Sequence, residues 1–194
     1  MARTATACVP SDPVRFIGDE MAYDIYEARS RFSVWAACRA AQAGSAKAKR
    51  TEFAQALAHC EIRAFLADKQ NHRLSPVEFD KKHHQWVVKI CKYIKRKFNK
   101  ELSYGIGAKL LSTYIKSAFV LGSFEKTGLA HVAHPPIDSI LLKSIDEVFH
   151  TNLSSIYKWT RLTATDYRGL ITKLRNLDDK QAFWKIEEHW NPNV

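Results

Sequence analysis

The sequence predicts an all-α protein, and three observations lead to this fold class. Apolar residues recur at helical spacing in almost every segment after residue 14. No segment shows the sustained alternation of apolar and polar residues that is typical of a half-buried strand. The 194 residues include only 7 Gly and 6 Pro, which is few for an all-β or loop-rich protein. We therefore expect a loose tail over residues 1–14 and a single helical domain over 15–194.

The first part of that domain is expected to contain three helices. A mixed apolar face predicts a helix over 20–31, and the Ala-rich run that follows predicts a buried helix over 32–43. Thr51 is expected to cap a third helix, which continues to Asp68.

The next helix has the clearest start in the chain. Ser75-Pro76-Val77-Glu78 combines an N-cap, a proline at the first helical position and an acid in the first turn, so a helix is expected over 76–98. One face of this helix is strongly basic. Its cations are Lys81, Lys82, Lys89, Lys92, Lys95, Arg96 and Lys97.

A short glycine-containing connection over 99–107 then leads to a helix over 108–121, which places Lys109 in the first turn of that helix. Two prolines precede Asp138, and an aspartate before an apolar helical run is a good N-cap for a helix over 139–150. The remainder, 151–190, is again expected to be helical.

The net charge and the cysteines indicate which class of partner and which cellular location to expect. Lys and Arg number 30 against 20 acidic residues, a formal charge of +10, which favours a polyanionic partner and nucleic acid first. The four cysteines are far apart and suggest neither a disulfide framework nor an iron–sulfur site. We expect no cofactor, no membrane contact, a cytoplasmic location and a monomer.

Three segments, taken in order, resemble one enzyme family. Gly105-Ile-Gly-Ala-Lys109-Leu-Leu is similar to the hairpin of helix-hairpin-helix DNA glycosylases of the endonuclease III and 8-oxoguanine type. Pro135-Pro-Ile-Asp138-Ser-Ile-Leu-Leu resembles the segment that brings in the essential aspartate of that superfamily. Phe32-Ser-Val-Trp-Ala-Ala-Cys-Arg-Ala-Ala-Gln42 resembles its early buried helix. The sequence departs from the family at Ser103-Tyr104, where Leu-Pro is usual, and at Ile140, where oxoguanine enzymes often have histidine.

The resemblance implies a helix-hairpin-helix over about 76–121 and assigns roles to single residues. Lys109 would attack C1′ of a flipped nucleotide, and Asp138 would stabilise the positive charge that develops on the sugar. Gly105 and Gly107 would let backbone N–H groups cradle a phosphate of double-stranded DNA, and Gln42 would reach the DNA.

The sequence offers further candidates for DNA contact and for the base pocket. Lys116, two turns beyond Lys109, is a candidate for a second phosphate contact. A flipped base needs a pocket of aromatic and polar groups, for which Trp35, Tyr104 and His134 are candidates. His131 and His134 have a spacing that metal ligands can use, but no third ligand lies at a suitable distance in the sequence, so we expect no metal site.

The function that follows is a DNA glycosylase, with or without a lyase step, in DNA repair or in defence against phage DNA that carries modified bases. Two alternatives remain open at this point. The chain could be a non-catalytic nucleic-acid-binding domain, or a helical protein whose basic face binds an acidic protein. The sequence does not select the excised base among oxidised purines, alkylated bases and hypermodified phage bases.

Overall fold

The structure is a computed structural model that describes residues 23–42, 48–122, 126–177 and 181–192. These residues contain no β-strand, which confirms the all-α class, and the expected tail over 1–14 lies outside them. Their α-helices are α1 (Ile25–Gln42), α2 (Arg50–His59), α3 (Ile62–Ala67), α4 (Pro76–Phe98), α5 (Tyr104–Ala118), α6 (Gly128–Val132), α7 (Ser139–Phe149), α8 (Leu153–Ile156) and α9 (Ala164–Leu177). Their 3₁₀ helices are Lys69–Arg73, Val120–Gly122, Trp159–Arg161 and Phe183–His189.

Helix α5 lies at the centre of the fold. It packs against α1 on one side and α4 on another, and the Trp159–Arg161 3₁₀ turn and α9 also contact it. An unbroken run from Gly105 to Ser112 is buried, so nearly every face of its first two turns meets protein. Lys109, which lies in these two turns, therefore has little direct access to solvent.

Helix α4 begins as the sequence predicts. The Glu78 N–H donates to Ser75 Oγ (3.4 Å), and the Ser75 N–H donates to Glu78 Oε2 (2.9 Å), so the capping box forms. The helix ends at Asn99, whose φ of 52° lies in the left-handed region that asparagine tolerates. The seven cations of the predicted basic face are all exposed.

Two predictions for the first helices are wrong. Residues 25–42 form one helix rather than two, because no glycine or proline interrupts the run. Conversely, the helix expected over 51–68 begins at Arg50 and breaks at Glu61, which has a φ of 56°. The break turns the chain so that Cys60 and Ile62 are both buried.

The start of α5 is a further correction. Ser103 is its N-cap and accepts the Ile106 N–H through Oγ (3.3 Å), so the connection from α4 spans only 99–103. Lys109 is therefore the sixth residue of α5, in its second turn rather than its first. Gly105 and Gly107 lie inside α5, at positions where neighbouring groups pack too closely to leave room for a side chain.

Helix α7 has the cap that the sequence predicts. Residues 133–138 run without regular structure into Asp138, whose Oδ1 accepts the Leu141 N–H (2.9 Å). The segment after α7 is helical in short pieces, and the last of these, the Phe183–His189 3₁₀ helix, packs on α6 and α7. None of the helices in the described ranges is long and apolar enough to cross a membrane.

Candidate active site

The structure brings Lys109 and Asp138 into direct contact. Lys109 Nζ lies 3.0 Å from Asp138 Oδ2, although the two residues are 29 positions apart in the chain. Their side chains are only 8% and 12% exposed. An amine and a carboxylate shielded from water interact more strongly than a surface pair. The Lys109–Asp138 pair is thus the strongest candidate site among the residues that the sequence singled out.

Each oxygen of Asp138 has a defined partner. Oδ1 accepts the Leu141 N–H at the start of α7, and Oδ2 accepts both Lys109 Nζ and the indole N–H of Trp190 (3.2 Å). The cap bond fixes the carboxylate at the N-terminal end of α7, where the helix dipole favours negative charge. Asp138 consequently combines a capping role with a fixed orientation toward Lys109.

An aromatic ring also contacts Lys109, and Gly105 allows that ring to come close. Its Nζ lies 4.3 Å from the centroid of the Trp159 ring, a distance suited to a cation–π contact. The Trp159–Arg161 turn can approach α5 because Gly105 has no side chain: a Cβ there would lie 1.9 Å from the Trp159 carbonyl oxygen. The Gly105 N–H also donates to Leu162 O (3.2 Å). Gly105 therefore positions the ring that borders Lys109.

A second ion pair lies further along α5. Lys116 Nζ donates to Glu187 Oε1 (2.7 Å), and the Glu187 side chain is 11% exposed. Burial raises the pKa of Glu187, an effect that the Lys116 ammonium partly opposes. This pair fastens the C-terminal 3₁₀ helix to α5.

Three buried side-chain polar atoms in the described ranges have no hydrogen-bond partner, and all lie on these two helices. They are Thr113 Oγ1 on α5 and Trp184 Nε1 and Glu187 Oε2 on the C-terminal 3₁₀ helix. Buried polar groups normally have a hydrogen-bond partner, so water or a ligand is expected to bind these three atoms. Residues 109, 113 and 116 share one side of α5 by helical spacing, so Thr113 lies one turn from Lys109 on the same side of the helix.

The two predicted phosphate-binding glycines face protein rather than solvent. Gly105 is covered by the Trp159–Arg161 turn, and a Cβ on Gly107 would lie 3.1 Å from Cys91 Sγ and 3.2 Å from Val87 Cγ1 of α4. The Gly107 N–H bonds to Ser103 O (3.2 Å). The expected open cradle of N–H groups at this turn is therefore filled by the protein, because the glycines serve close packing.

The other DNA-contact candidates lie on different elements. Lys116 is engaged by Glu187, as described above. Gln42 is the last residue of α1 and half-buried. The structure does not bring Gln42 into contact with the pair.

Of the three base-pocket candidates, two belong to one cluster. His134 Nδ1 lies 3.2 Å from Tyr167 Oη, and the ring of Tyr104 lies 5.3 Å from the ring of Tyr167. Trp35 is instead 52% exposed on α1, where its ring lies 5.6 Å from that of Phe32.

His134 belongs to a partly buried polar network that no sequence pattern indicates, and Tyr104 borders this network. We call it the histidine cluster; its members are Asp80, His83, His134, Tyr167 and Arg175. Arg175 forms a bidentate pair with Asp80 (2.6 and 2.7 Å), and His134 Nε2 lies 2.8 Å from Asp80 Oδ1. The rings of His83 and Tyr167 are stacked with centroids 5.3 Å apart.

Burial dominates the protonation of this cluster. It lowers the pKa of both His83 and His134 below the usual 6.5, and for His134 the neighbouring Asp80 only partly opposes it. Burial alone would raise the pKa of Asp80, but hydrogen bonds from Arg175 and His134 hold it well below its usual range. His83 is buried because it shares a face of α4 with buried Phe79 and Val87, whereas the adjacent His84 is exposed.

The described residues contain no group of three or more metal-ligating side chains. His131 is exposed whereas His134 is buried and bonded to Asp80, so the two do not face a common site.

Comparisons with known proteins leave the family open: no family model, no curated protein and no solved structure matches the chain.

Proposed function

We propose that the chain is a DNA glycosylase in which Lys109 and Asp138 act on the sugar of a flipped nucleotide. The observation that carries the proposal is the 3.0 Å contact between a lysine amine and a capped carboxylate, both shielded from water. Amines need a base to become nucleophiles, and carboxylates stabilise an oxocarbenium-like sugar. The consecutive helices α4 and α5, joined by residues 99–103, further support the helix-hairpin-helix resemblance.

The geometry suits a defined sequence of steps. The Lys109 ammonium gives a proton to Asp138, and the free amine attacks C1′. The N-glycosidic bond breaks, its electron pair leaves with the base, and the base takes up the proton held by Asp138. A proton then moves from the attached amine to O4′ as the C1′–O4′ bond opens, which leaves a Schiff base on Lys109. Water hydrolyses this Schiff base and frees the enzyme, either directly or after a β-elimination in which a C2′ proton is removed and the 3′ phosphate leaves.

Access to the pair requires movement of its cover. Trp190 directly follows the C-terminal 3₁₀ helix, donates its indole N–H to Asp138 and is 41% exposed. The elements around the pair each carry an exposed cation: Lys143 on α7, Arg161 on the Trp159–Arg161 turn and Lys185 on the C-terminal 3₁₀ helix. These cations are the proposed contacts for the phosphates of double-stranded DNA that flank the flipped nucleotide.

Borohydride trapping tests the chemistry directly. Duplexes that carry abasic, oxidised, alkylated or phage-type modified bases are incubated with the protein and reductant, and covalent adducts are counted on denaturing gels. We expect an adduct on at least one duplex, with peptide mass spectrometry locating it at Lys109.

The control for this assay is Lys173, an exposed lysine of α9 to which no role in the site is assigned. Lys109→Gln should abolish the adduct, whereas Lys173→Gln removes a lysine away from the pair and should leave it. An adduct that still forms with Lys109→Gln, or no adduct on any duplex, would contradict a lyase reaction at Lys109.

A second variant separates catalysis from capping. Asn at position 138 keeps an acceptor for the Leu141 N–H but removes the negative charge. Asp138→Asn should therefore abolish base release while the protein stays folded by circular dichroism.

The second candidate function is a non-catalytic nucleic-acid-binding domain. The specific observation in its favour is that every polar atom of the Lys109–Asp138 pair has a partner within the protein, which is typical of a structural tie between helices. It predicts salt-sensitive DNA binding without release of any base from the same panel of duplexes.

A further inference from the structure

A groove between α2 and α4 concentrates positive charge on a different side of the molecule from the Lys109–Asp138 pair. We call it the basic groove; it has a volume of about 470 Å³ and is lined by His59, Lys89, Lys92, Tyr93, Arg96 and Lys97.

The cations of the basic groove are poorly neutralised. Lys89 lies 3.6 Å from Glu61, and both side chains of that pair are largely exposed. Lys97 Nζ donates to neutral oxygens, Gln55 Oε1 (2.7 Å) and Tyr93 Oη (2.8 Å). Within the described parts of the chain, Lys92 and Arg96 have no acidic partner within 4.0 Å. The lining thus offers several positive charges, and Glu61, the acid paired with one of them, is itself exposed.

Aromatic rings are interleaved with these charges. The rings of His59 and Tyr93 lie 4.6 Å apart at 31°, and Lys97 Nζ lies 5.3 Å from the Tyr93 centroid. Cations at the end of α4 also complement its helix dipole, but that effect reaches only the last turn and does not account for Lys89, Lys92 or the rings. Cations beside aromatic faces are the combination with which proteins bind the backbone and bases of single strands.

Helical spacing places the basic groove and the pair on opposite sides of the α4–α5 layer. Helix α4 faces α5 through Val87 and Cys91, and Lys92 and Arg96 are turned about 100–180° away from those positions. On α5, Gly107 faces α4, whereas Lys109 is turned about 200° from it. A nucleotide held at Lys109 therefore does not account for the charge of the groove.

We infer that the basic groove is a second nucleic-acid site, which binds the phosphodiester backbone of a single-stranded segment. Lys92 and Arg96 contact phosphates, and the exposed ring of His59 stacks on a base. This inference goes beyond the glycosylase proposal and does not depend on chemistry at Lys109.

Fluorescence anisotropy with an unmodified single strand of about 12 nucleotides, and with the matching duplex, tests the inference over about 50–200 mM salt. Lys92→Glu with Arg96→Glu should raise the Kd for the single strand about tenfold or more, because two phosphate contacts become repulsive. The matched control is Lys69→Glu with Arg73→Glu, which makes the same change in net charge at exposed residues of the Lys69–Arg73 helix and should change the Kd by less than about twofold.

Two further arms sharpen the result. With Lys92→Gln and Arg96→Gln, the slope of log Kd against log salt should fall by about 1.4, the value for two contacts to a single strand. His59→Ala should weaken binding of the single strand more than binding of the duplex, because only an unpaired base can stack on the ring.

Equal losses in the groove and control variants would overturn the inference, because net charge alone would then explain binding. Competition by polyglutamate as strong as by the oligonucleotide would overturn it in favour of an acidic protein partner. A preference for the duplex that both groove substitutions leave unchanged would overturn it as well. Since no modified base is present, failure of glycosylase activity does not affect these measurements.

Discussion

At the scale of single residues, Gly105 shapes the candidate site because it has no side chain. Gly105 lets the Trp159 carbonyl approach α5, and the Trp159 ring then borders the Lys109 amine. Gly107 allows a similar but looser approach of α4. In contrast, a Cβ on Gly169 of α9 would meet only Tyr157 Oη at 3.6 Å, an ordinary contact.

These distances predict an order of stability for three alanine variants. Gly105→Ala should lose about 3 kcal/mol or more, because a backbone carbonyl cannot retreat from a Cβ at 1.9 Å. Gly107→Ala should lose about 1–2 kcal/mol, since the Cys91 and Val87 side chains can shift slightly. Gly169→Ala should be neutral or gain up to about 1 kcal/mol from helix propensity. Urea unfolding measures all three, and a Gly105→Ala protein as stable as Gly107→Ala would contradict the packing.

At the scale of elements, the C-terminal 3₁₀ helix and Trp190, which follows it, form the proposed cover of the candidate site. It is tied to α5 by the Lys116–Glu187 pair and to the start of α7 by Trp190. This helix and α5 carry the three unsatisfied polar atoms of the described residues, whose missing hydrogen bonds reduce the stability of the closed arrangement. We expect opening of this helix to separate Trp190 from Asp138 and Glu187 from Lys116.

Trp190→Phe tests that cover, because it keeps an aromatic ring but removes the N–H that Asp138 accepts. One hydrogen bond to a carboxylate is worth about 1.5 kcal/mol, so the open population should rise roughly tenfold. Reductive methylation followed by peptide mass spectrometry should show a correspondingly faster reaction at Lys109, while exposed Lys92 keeps its rate and calibrates the reagent. An unchanged rate at Lys109 would mean that Trp190 does not gate access.

Sequence patterns predicted the starts of α4 and α7 but not the start of α5 or the role of Trp190. The caps at Ser75 and Asp138 were predictable because a cap depends on three or four neighbouring residues. The start of α5 was not predictable, because glycine usually indicates a turn. The need for glycine at positions 105 and 107 comes from contacts with distant parts of the chain. Trp190 was also missed, because no local pattern connects it with a carboxylate 52 positions earlier.

At the scale of the whole molecule, the histidine cluster joins α4, the segment before α7, and α9. Asp80, His134 and Arg175 come from these three parts, and His83 and Tyr167 pack beside them. All of its hydrogen bonds cross between elements, so its protonation state bears on how the helices hold together. The site-forming segment from His134 to Asp138 leaves directly from this cluster.

The lowered pKa values of His83 and His134 predict that the protein loses stability in mild acid. Below about pH 6.5 the unfolded chain binds protons at these histidines that the folded chain resists, so the free energy of unfolding falls by at most about 1.4 kcal/mol per pH unit for each. Asp80 stays ionised in this window because its pKa is lowered. Glu187, whose pKa is raised, has the opposite effect only between its unfolded pKa near 4.5 and its higher folded value.

Urea unfolding between about pH 7.5 and 5 measures this slope in the wild type and in two neighbouring variants. His83→Gln should make the slope clearly shallower, because one buried group no longer has to stay neutral. His84→Gln changes the adjacent, exposed histidine and should leave the slope as it is. Equal slopes in all three proteins would show that the cluster does not keep His83 neutral. The drop in stability would then have to arise elsewhere in the molecule.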